Sequence, residues 1–458
     1  MEIHRKEKSN IGTEREQWSS RLGFVLASIG GAIGLGNVWK FPYTAGKYGG
    51  ASFIVVYLIA LIFIATPLLI TEFAIGRKTK LNYTGALKKL FPGKKLYLFG
   101  IVGVIVLVIL LSFYFGVAGW TIAYFFKSIF GTYAGAAPDQ VGSQFGAFLN
   151  NPMELFFWQF LMVVITGFIV VKGIQSGIEK VCKILLPILF IMIIGLVIKA
   201  VSLPGAGAGL EFYLKPDLKA LTPEAILAAI GQAFFTLGVG CGNLVIYGSY
   251  LNRKKTIASS SMMVAMGDTL AAILMGFIIF PAVFAFGIEP SAGPPLVFIT
   301  LPIIFAQMKF GMIFGAIFYL LLFFACLTST ICILEAIIGY FVDEWGWNRK
   351  KTVFIGCSFI FTLGIFQMLS FGPWADAKLF GKTIFELSDY LITNILLPGG
   401  GLFMLILAGH IMNTSELLEE INIGEGMKVK NYYKITIKYI APIAVTVVFL
   451  QLLGIIKF

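Results

Sequence analysis

Two apolar segments of this chain are interrupted by nearly the same string. The first reads Gly31-Ala-Ile-Gly-Leu-Gly-Asn37 and the second Gly238-Val-Gly-Cys-Gly-Asn243. Each sets three glycines and an asparagine at the centre of a stretch long enough to cross a bilayer. Glycine inside a helix costs about 1 kcal/mol relative to alanine, so both clusters predict a helix that stops and restarts at mid-membrane. Backbone groups freed there must face protein or a water-filled cavity rather than lipid. Interrupted helices in matching places of two halves point to a transporter's binding site. Close helix packing by small residues is the competing reading; it suits either string alone better than both together.

With 58% hydrophobic and 13% charged residues, the chain is not a soluble globule. Eleven apolar runs approach or exceed the ~20 residues that a bilayer requires: 19–46, 51–76, 96–131, 153–172, 178–202, 223–251, 257–288, 310–343, 351–371, 384–409 and 433–456. The first follows a polar, basic stretch without a small-residue cleavage site, which argues against a removable signal peptide. The net charge of +12 is topology rather than a nucleic-acid site. With the N-terminus placed inside, about 25 Lys and Arg fall on the cytoplasmic side and about 10 outside, the positive-inside bias. Residues 77–95 alone carry seven of them, and residues 132–152 carry none. An odd number of spans then leaves the C-terminus outside.

The expected fold is an all-α polytopic membrane protein with a 5+5 inverted-repeat core. Each repeat opens with a broken helix, and an eleventh span lies outside the repeat. Five spans per half is an odd number, so the second half inserts upside down relative to the first. The expected segments are a cytoplasmic N-terminal stretch (1–18), the first repeat (19–202), an exterior loop (203–222), the second repeat (223–409), a cytoplasmic loop (410–432) and the last span (433–458). Exterior segments 132–152, 203–222 and 289–309 are rich in Gly and Pro and suit a cover over an outer vestibule. Cys182, Cys241, Cys326, Cys332 and Cys357 all fall in apolar runs with no CxxC spacing, which argues against a disulfide or thiolate metal site. His4 and His410 are too far apart in the chain to support a histidine metal or proton site. No nucleophile–base pair is visible, so an enzyme is not expected.

Several polar residues in the apolar runs can carry chemistry. Asp268 sits in Met266-Gly-Asp-Thr-Leu-Ala with no basic residue within a turn or two. A carboxylate at mid-membrane costs at least ~2.5–3.5 kcal/mol unless compensated; a bound cation would compensate it, and a protonated or helix-capping Asp is the alternative. Thr328-Ser329-Thr330 offers hydroxyls to a hard cation, or simply bonds to carbonyls four residues back. Glu72 can accept bonds from the freed amides of a broken helix or pair with Arg77. Glu335 has a similar ambiguity. At a broken helix, starting amides favour a carboxylate and terminal carbonyls favour a cation, a combination suited to a zwitterion and a small metal ion.

These residues coincide with a known pattern. The chain resembles the neurotransmitter:sodium symporters, in their prokaryotic eleven-span amino-acid branch. The most specific matches are Ala32-Ile-Gly-Leu-Gly-Asn-Val-Trp-Lys-Phe-Pro42, Gln232-Ala-Phe-Phe-Thr-Leu-Gly-Val-Gly-Cys-Gly242 and Phe324-Ala-Cys-Leu-Thr-Ser329. Phe385-Glu-Leu-Ser-Asp-Tyr390 and Leu396-Leu-Pro-Gly-Gly-Gly401 add to them. The resemblance implies a sodium-coupled importer with two sodium sites. One sodium would lie against the Ala32 carbonyl, Asn37, Thr236 and Asp268. The other would lie among the carbonyls of Gly30, Ile33 and Ala325 and the hydroxyls of Thr328 and Ser329. Chloride-dependent members carry a serine where this chain has Ala272, so no chloride is expected.

The resemblance also implies a substrate site. Amine transporters carry an aspartate where this chain has Gly34, so the substrate must bring its own carboxylate, as an amino acid does. Gly31, Ala32, Gly34, Leu35 and Gly36 of the first break, with Thr236, would hold its backbone, Tyr114 would bond its carboxylate and Phe235 would close over it. Leu110, Phe235, Gly238, Cys241, Ser329 and Ile333 would line an uncharged side-chain pocket. Small residues at 238 and 241 favour a bulky or aromatic hydrophobic side chain. Lys40 and Asp389 stand where the family has an outer Arg–Asp gate, and lysine cannot make the bidentate fork. Arg15 and Asp343, with Trp18 and Tyr250, match the inner gate. Amino acid, sodium and membrane lipid are the expected partners, with no nucleic acid, and the expected state is a monomer or weak homo-oligomer in the cell membrane. A proton-coupled or exchange carrier using Asp268 or Glu335, and a non-transporting amino-acid sensor, are the alternatives.

Overall fold

The computed structural model describes residues 15–287 and 296–456. His4, most of the predicted segment 1–18, the first part of 289–309 and the last two residues of 433–458 lie outside the described residues. Nine continuous helices among the described residues are long and apolar enough to cross a membrane: Ala51–Thr79, Tyr97–Ile129, Pro152–Val170, Ile174–Val201, Ile257–Ala285, Gly311–Trp345, Arg349–Leu369, Ile384–Ile411 and Asn431–Leu452. A tenth path is the pair Arg21–Ala32 and Gly36–Lys47, bent by 55° at its break. The eleventh is the pair Pro223–Thr236 and Asn243–Ser249. In chain order these are spans one to eleven, with the two broken paths as spans one and six. Among the described residues there is no β-strand, only two isolated bridges, Lys255 with Glu425 and Leu379 with Lys382.

The two breaks look alike in sequence and differ in cause. In span six, Gly238, Gly240 and Gly242 take φ of +61°, +109° and +74°, a left-handed region that glycine enters without a steric penalty. That string is required by backbone conformation, and close packing adds to it at Gly240 and Gly242, where a Cβ would run into Phe234 and Tyr83. In span one, the helix begins at Ser20, whose hydroxyl accepts from the Gly23 amide at 3.0 Å, and ends at Ile33, where ψ swings to 118°. Its glycines supply space instead. A Cβ on Gly31 would lie 2.8 Å from the Cys332 sulfur, and one on Gly34 would lie 2.6 Å from the Tyr114 hydroxyl.

Most other irregularities follow prolines. Of six wide, π-type turns among the described residues, Ile174–Glu179 and Leu407–Ile411 have no proline just after them; the other four occupy Gly36–Lys40, Leu61–Ala65, Leu391–Leu396 and Thr436–Ile440. Each ends two residues before a proline: Pro42, Pro67, Pro398 and Pro442. Proline lacks an N–H and its ring clashes with the carbonyl four residues back. The preceding ladder relaxes by slipping to a longer repeat.

The segments read from sequence as exterior loops contain helices of their own: Pro138–Leu149, Ala206–Leu214 and Thr300–Gln307. Beneath them lies an aromatic layer in which the Trp120 ring meets Phe298 at 5.5 Å and Phe371 at 5.1 Å. Tyr124 meets Phe298 at 5.1 Å. At the opposite, lysine- and arginine-rich end, the helix Thr414–Asn422 docks on span two. The buried Arg77 guanidinium donates to Glu420 Oε1 at 2.8 Å and to the Lys255 carbonyl at 2.9 Å. Glu420 also receives Arg253 at 2.9 Å. Arg77 therefore pairs with Glu420 and not with Glu72.

Candidate cation and substrate site at the two breaks

Span seven carries Asp268 to the level of both breaks, where it is fully buried. Asn37 Nδ2 donates to Asp268 Oδ1 at 2.7 Å and to the Asp268 carbonyl at 3.2 Å. Thr236 Oγ1 donates to Asp268 Oδ2 at 2.9 Å. Asn37 also ties its own break together, because its Oδ1 accepts from the Gly34 amide at 3.0 Å. Among the described residues no Lys or Arg forms an ion pair with Asp268. Its oxygens are bonded by neutral groups alone, so no charged side chain among the described residues balances a carboxylate at this point, a role open to a cation or a proton. Carboxylate and hydroxyl oxygens meet here, and the last carbonyls of Arg21–Ala32 lie beyond the helical ladder; oxygen donors of these kinds suit a hard ion.

A second oxygen cluster forms where span eight passes the end of the same half-helix. Ser329 Oγ donates to the Ile33 carbonyl at 2.7 Å and lies 3.5 Å from that of Gly30. Thr328 Oγ1 lies 3.1 Å from both the Phe324 and Ala325 carbonyls. Gly30 presses directly on Thr328, since a Cβ there would lie 2.8 Å from the Thr328 Cβ. Gly30, Ile33, Ala325, Thr328 and Ser329 are thus gathered. Back-bonding of Thr328 and an inter-helix role for Ser329 coexist here.

Between the clusters is a cradle. The Leu35 amide donates to the Tyr114 hydroxyl at 3.2 Å. A Cβ on Gly34 would also lie 2.7 Å from Ser329 Oγ. Phe235 covers this point: its ring edge is 3.2 Å from where a Gly36 Cβ would sit. Leu110 lies one turn before Tyr114 and Ile333 one turn after Ser329, so each shares the face of its neighbour. Cys241 is buried and lines a small cavity with Tyr83, Leu107, Gly242 and Ala336, toward the basic end.

Glu72 resolves in favour of the freed amides. It accepts from the Gly240 amide at 2.6 Å and the Leu244 amide at 3.2 Å. Glu335 is held by Arg349 and by the Tyr250 hydroxyl at 2.8 Å. Arg15 Nη1 reaches both Asp343 oxygens at 3.0 Å, and its Nε donates to Ser249 at 2.9 Å. Trp18 Nε1 donates to the Tyr247 carbonyl at 3.1 Å, and the Arg15 guanidinium stacks 4.8 Å from the Tyr250 ring centre. The other end differs from the sequence expectation. Lys40 forms no ion pair with Asp389; its ammonium lies 3.8 Å from the Phe235 ring centre. Asp389 is exposed and accepts from Thr393 Oγ1 at 3.1 Å. A point charge on a flexible stem does not need a carboxylate fork, and the ring face offers it a nearer partner.

Sequence reasoning missed several neighbours. Cys332 fills the gap left by Gly31. Gln232 Nε2 points at the Gly36 carbonyl, 3.4 Å away. Buried Glu179 accepts from the Ser19 amide at 2.8 Å and the Ser19 hydroxyl at 2.5 Å, anchoring the start of span one. None has a local signature; only the approach of distant spans picks them out.

Comparison with known proteins agrees with this geometry. The profile of the Sodium:neurotransmitter symporter family matches residues 15–139 and 140–458. The sodium-dependent transporter YhdH of Bacillus subtilis is 38% identical over 444 residues, covering 96% of this chain and 98% of that protein. A sodium-dependent transporter of Haemophilus influenzae is 36% identical over 452 residues, with 96% and 98% covered. The crystal structure of MhsT in complex with L-phenylalanine superposes with a TM-score of 0.87 at 40% identity, covering 96% of this chain and all of that one. Broken spans one and six around a buried carboxylate, on a scaffold shared along the whole chain, place this multi-pass membrane protein among transporters rather than enzymes: it belongs to the sodium:neurotransmitter symporter family.

Proposed function

We propose that this chain imports a hydrophobic L-amino acid, bulky or aromatic, together with sodium at two sites and without chloride. The observation that carries the reading is the approach at Gly34, where Tyr114 and Ser329 leave room for a hydrogen and nothing larger. No acidic side chain stands there to meet an amine, and the hydroxyl of Tyr114 is positioned for a carboxylate that the substrate brings. The complex of MhsT with L-phenylalanine supports an aromatic side chain. One sodium lies with Asp268, Asn37, Thr236 and the Ala32 carbonyl, and the other with Gly30, Ile33, Ala325, Thr328 and Ser329. Asp268 supplies a fixed negative charge, and Ala272 one turn on offers no hydroxyl to a chloride ion.

The basic end is cytoplasmic in this reading, with the C-terminus outside, and Arg15–Asp343 forms the inner gate. Transport follows by alternating access, the broken spans tilting around a fixed site. One sodium charge moving down 100 mV yields ~2.3 kcal/mol, and a tenfold sodium gradient adds ~1.4 kcal/mol. Together they sustain roughly a 500-fold substrate gradient at one sodium per substrate.

Uptake into proteoliposomes tests this, with all twenty amino acids as competitors, with and without sodium. Sodium-driven uptake that aromatic and large aliphatic amino acids block, and that continues when gluconate replaces chloride, is expected. Uptake that follows a pH gradient and ignores sodium would refute it.

A further inference from the structure

Spans one and five both start at the basic end, and each start is finished by a carboxylate from the other. Glu16, in the lead-in to span one, accepts from the Ile174 and Gln175 amides at 2.8 and 3.0 Å, donors that the first turn of span five cannot satisfy itself. Glu179, at the other end of that turn, accepts from the Ser19 amide at 2.8 Å and from the Ser19 and Ser20 hydroxyls at 2.5 and 3.1 Å. Ser20 in turn caps span one. A glycine makes room at each contact. A Cβ on Gly23 would collide with the Glu179 carboxylate, and one on Gly173 would lie 2.9 Å from Glu16 Oε2.

The seam continues from these caps toward the break. Leu186 Cδ2 is 3.0 Å from where a Gly30 Cβ would lie. Glu179, Cys182 and Leu186 are spaced three and four apart, so they share one face of span five, and that face follows span one from Ser19 to Gly30. Cys182 lies in the middle of it, fully buried. Span five is anchored from behind. Arg349 donates to the Val170 carbonyl at 2.9 and 2.8 Å, just before span five begins, while it pairs with Glu335. The start of span one has no such backing: Arg15 goes to Asp343 on span eight, and its neighbour Glu16 goes to span five. Lys183 pairs with Glu179 at 2.6 Å from within span five, so that carboxylate keeps a partner when span one leaves.

We propose that this reciprocal cap is a second inner lock: opening at the basic end requires span one to part from span five at Glu179 and Glu16, as well as from Asp343. The inference rests on the reading of the basic end as the inner gate and adds span five to it. The two carboxylates differ in weight. Glu179 is buried and gathers three donors from span one, charge-assisted bonds of the stronger kind. Glu16 is exposed, so its bonds compete with water and hold less.

The test is alkylation of Cys182 by N-ethylmaleimide in the purified full-length protein, followed by peptide mass spectrometry. It needs no substrate, so it can be read whichever amino acid the protein carries. Glu179→Gln keeps the shape and removes the charge, and Cys182 should then react about tenfold faster than in the wild type. Gly23→Ala retains Glu179 but drives its carboxylate from the seam, while alanine favours the helix; Cys182 should again react severalfold faster. Glu16→Gln should accelerate it only about twofold. Cys357, which packs on Gly167 of span four, should keep its rate in all three variants. Unchanged Cys182 rates in Glu179→Gln and Gly23→Ala overturn the inference. Equal acceleration of Cys182 and Cys357 overturns it too, leaving Glu179 as a cap that only supports the fold. If Asp343→Ala speeds Cys182 and these variants do not, only this inference falls. If none of them does, the inner-gate reading falls with it.

Discussion

Glycine does two different jobs in strings that look the same. At Gly34 what matters is the missing side chain, because a Cβ would lie 2.6 Å from Tyr114 Oη and 2.7 Å from Ser329 Oγ. Overpacking of this kind costs about 1–3 kcal/mol, so Gly34→Ala should weaken sodium-dependent substrate binding about tenfold or more. Unchanged affinity would remove Gly34 from the cradle. Asp268→Asn tests the cation site separately. It keeps a bond-accepting oxygen toward Asn37 or Thr236 and loses the charge, so the sodium concentration for half-maximal substrate binding should rise about tenfold or more. The order of amino-acid preference should stay as it was, and an unaltered sodium dependence would disprove the assignment. Asp268 was legible in the sequence because an isolated carboxylate in an apolar run needs compensation. The partner of Lys40 was not, since nothing local distinguishes Asp389 from the Phe235 ring.

Within the elements, the breaks hold because something outside each helix takes up the freed groups. Span six is held open by Glu72, which accepts from the Gly240 and Leu244 amides. Glu72→Ala would leave both buried donors unmet at about 1–3 kcal/mol each, and thermal unfolding in detergent should shift to clearly lower temperature. Arg77→Ala should destabilise independently, because Arg77 serves Glu420 and the Lys255 carbonyl. Sites without shared partners add within a few tenths of a kcal/mol, about 0.3–0.5. A large coupling between the two substitutions would show that Glu72 and Arg77 act as a pair after all. Proline gave a signal that could have been read earlier: each of Pro42, Pro67, Pro398 and Pro442 follows a widened turn. Helical segments within the exterior stretches were less legible, because short helices such as Ala206–Leu214 depend on docking rather than on propensity.

Across the whole molecule the two ends are closed unequally. The basic end has a two-point Arg15–Asp343 pair, the Trp18 bond and the Glu335–Arg349 pair. The other end has the Lys40 contact on Phe235 and the aromatic layer around Trp120. Removing one partner of a partly buried ion pair strands the other, so Asp343→Ala should favour opening at the basic end. A cysteine introduced as Trp18→Cys should then react faster with an impermeant maleimide from that side, and an unchanged rate would reject Arg15–Asp343 as a gate.

The sequence by itself determined the eleven crossings, the inverted halves, the places where spans one and six break, and the family. Those follow from local quantities: apolar length against bilayer thickness, the cost of glycine in a helix, and motifs that lie together in the chain. Only the tertiary structure decided which partner each buried polar group takes. Glu72 joins amides about 170 residues away, and Arg77 joins Glu420. Inside a membrane a polar group must be satisfied, yet composition alone does not say by what; that is settled by which distant spans the packing brings within about 3 Å.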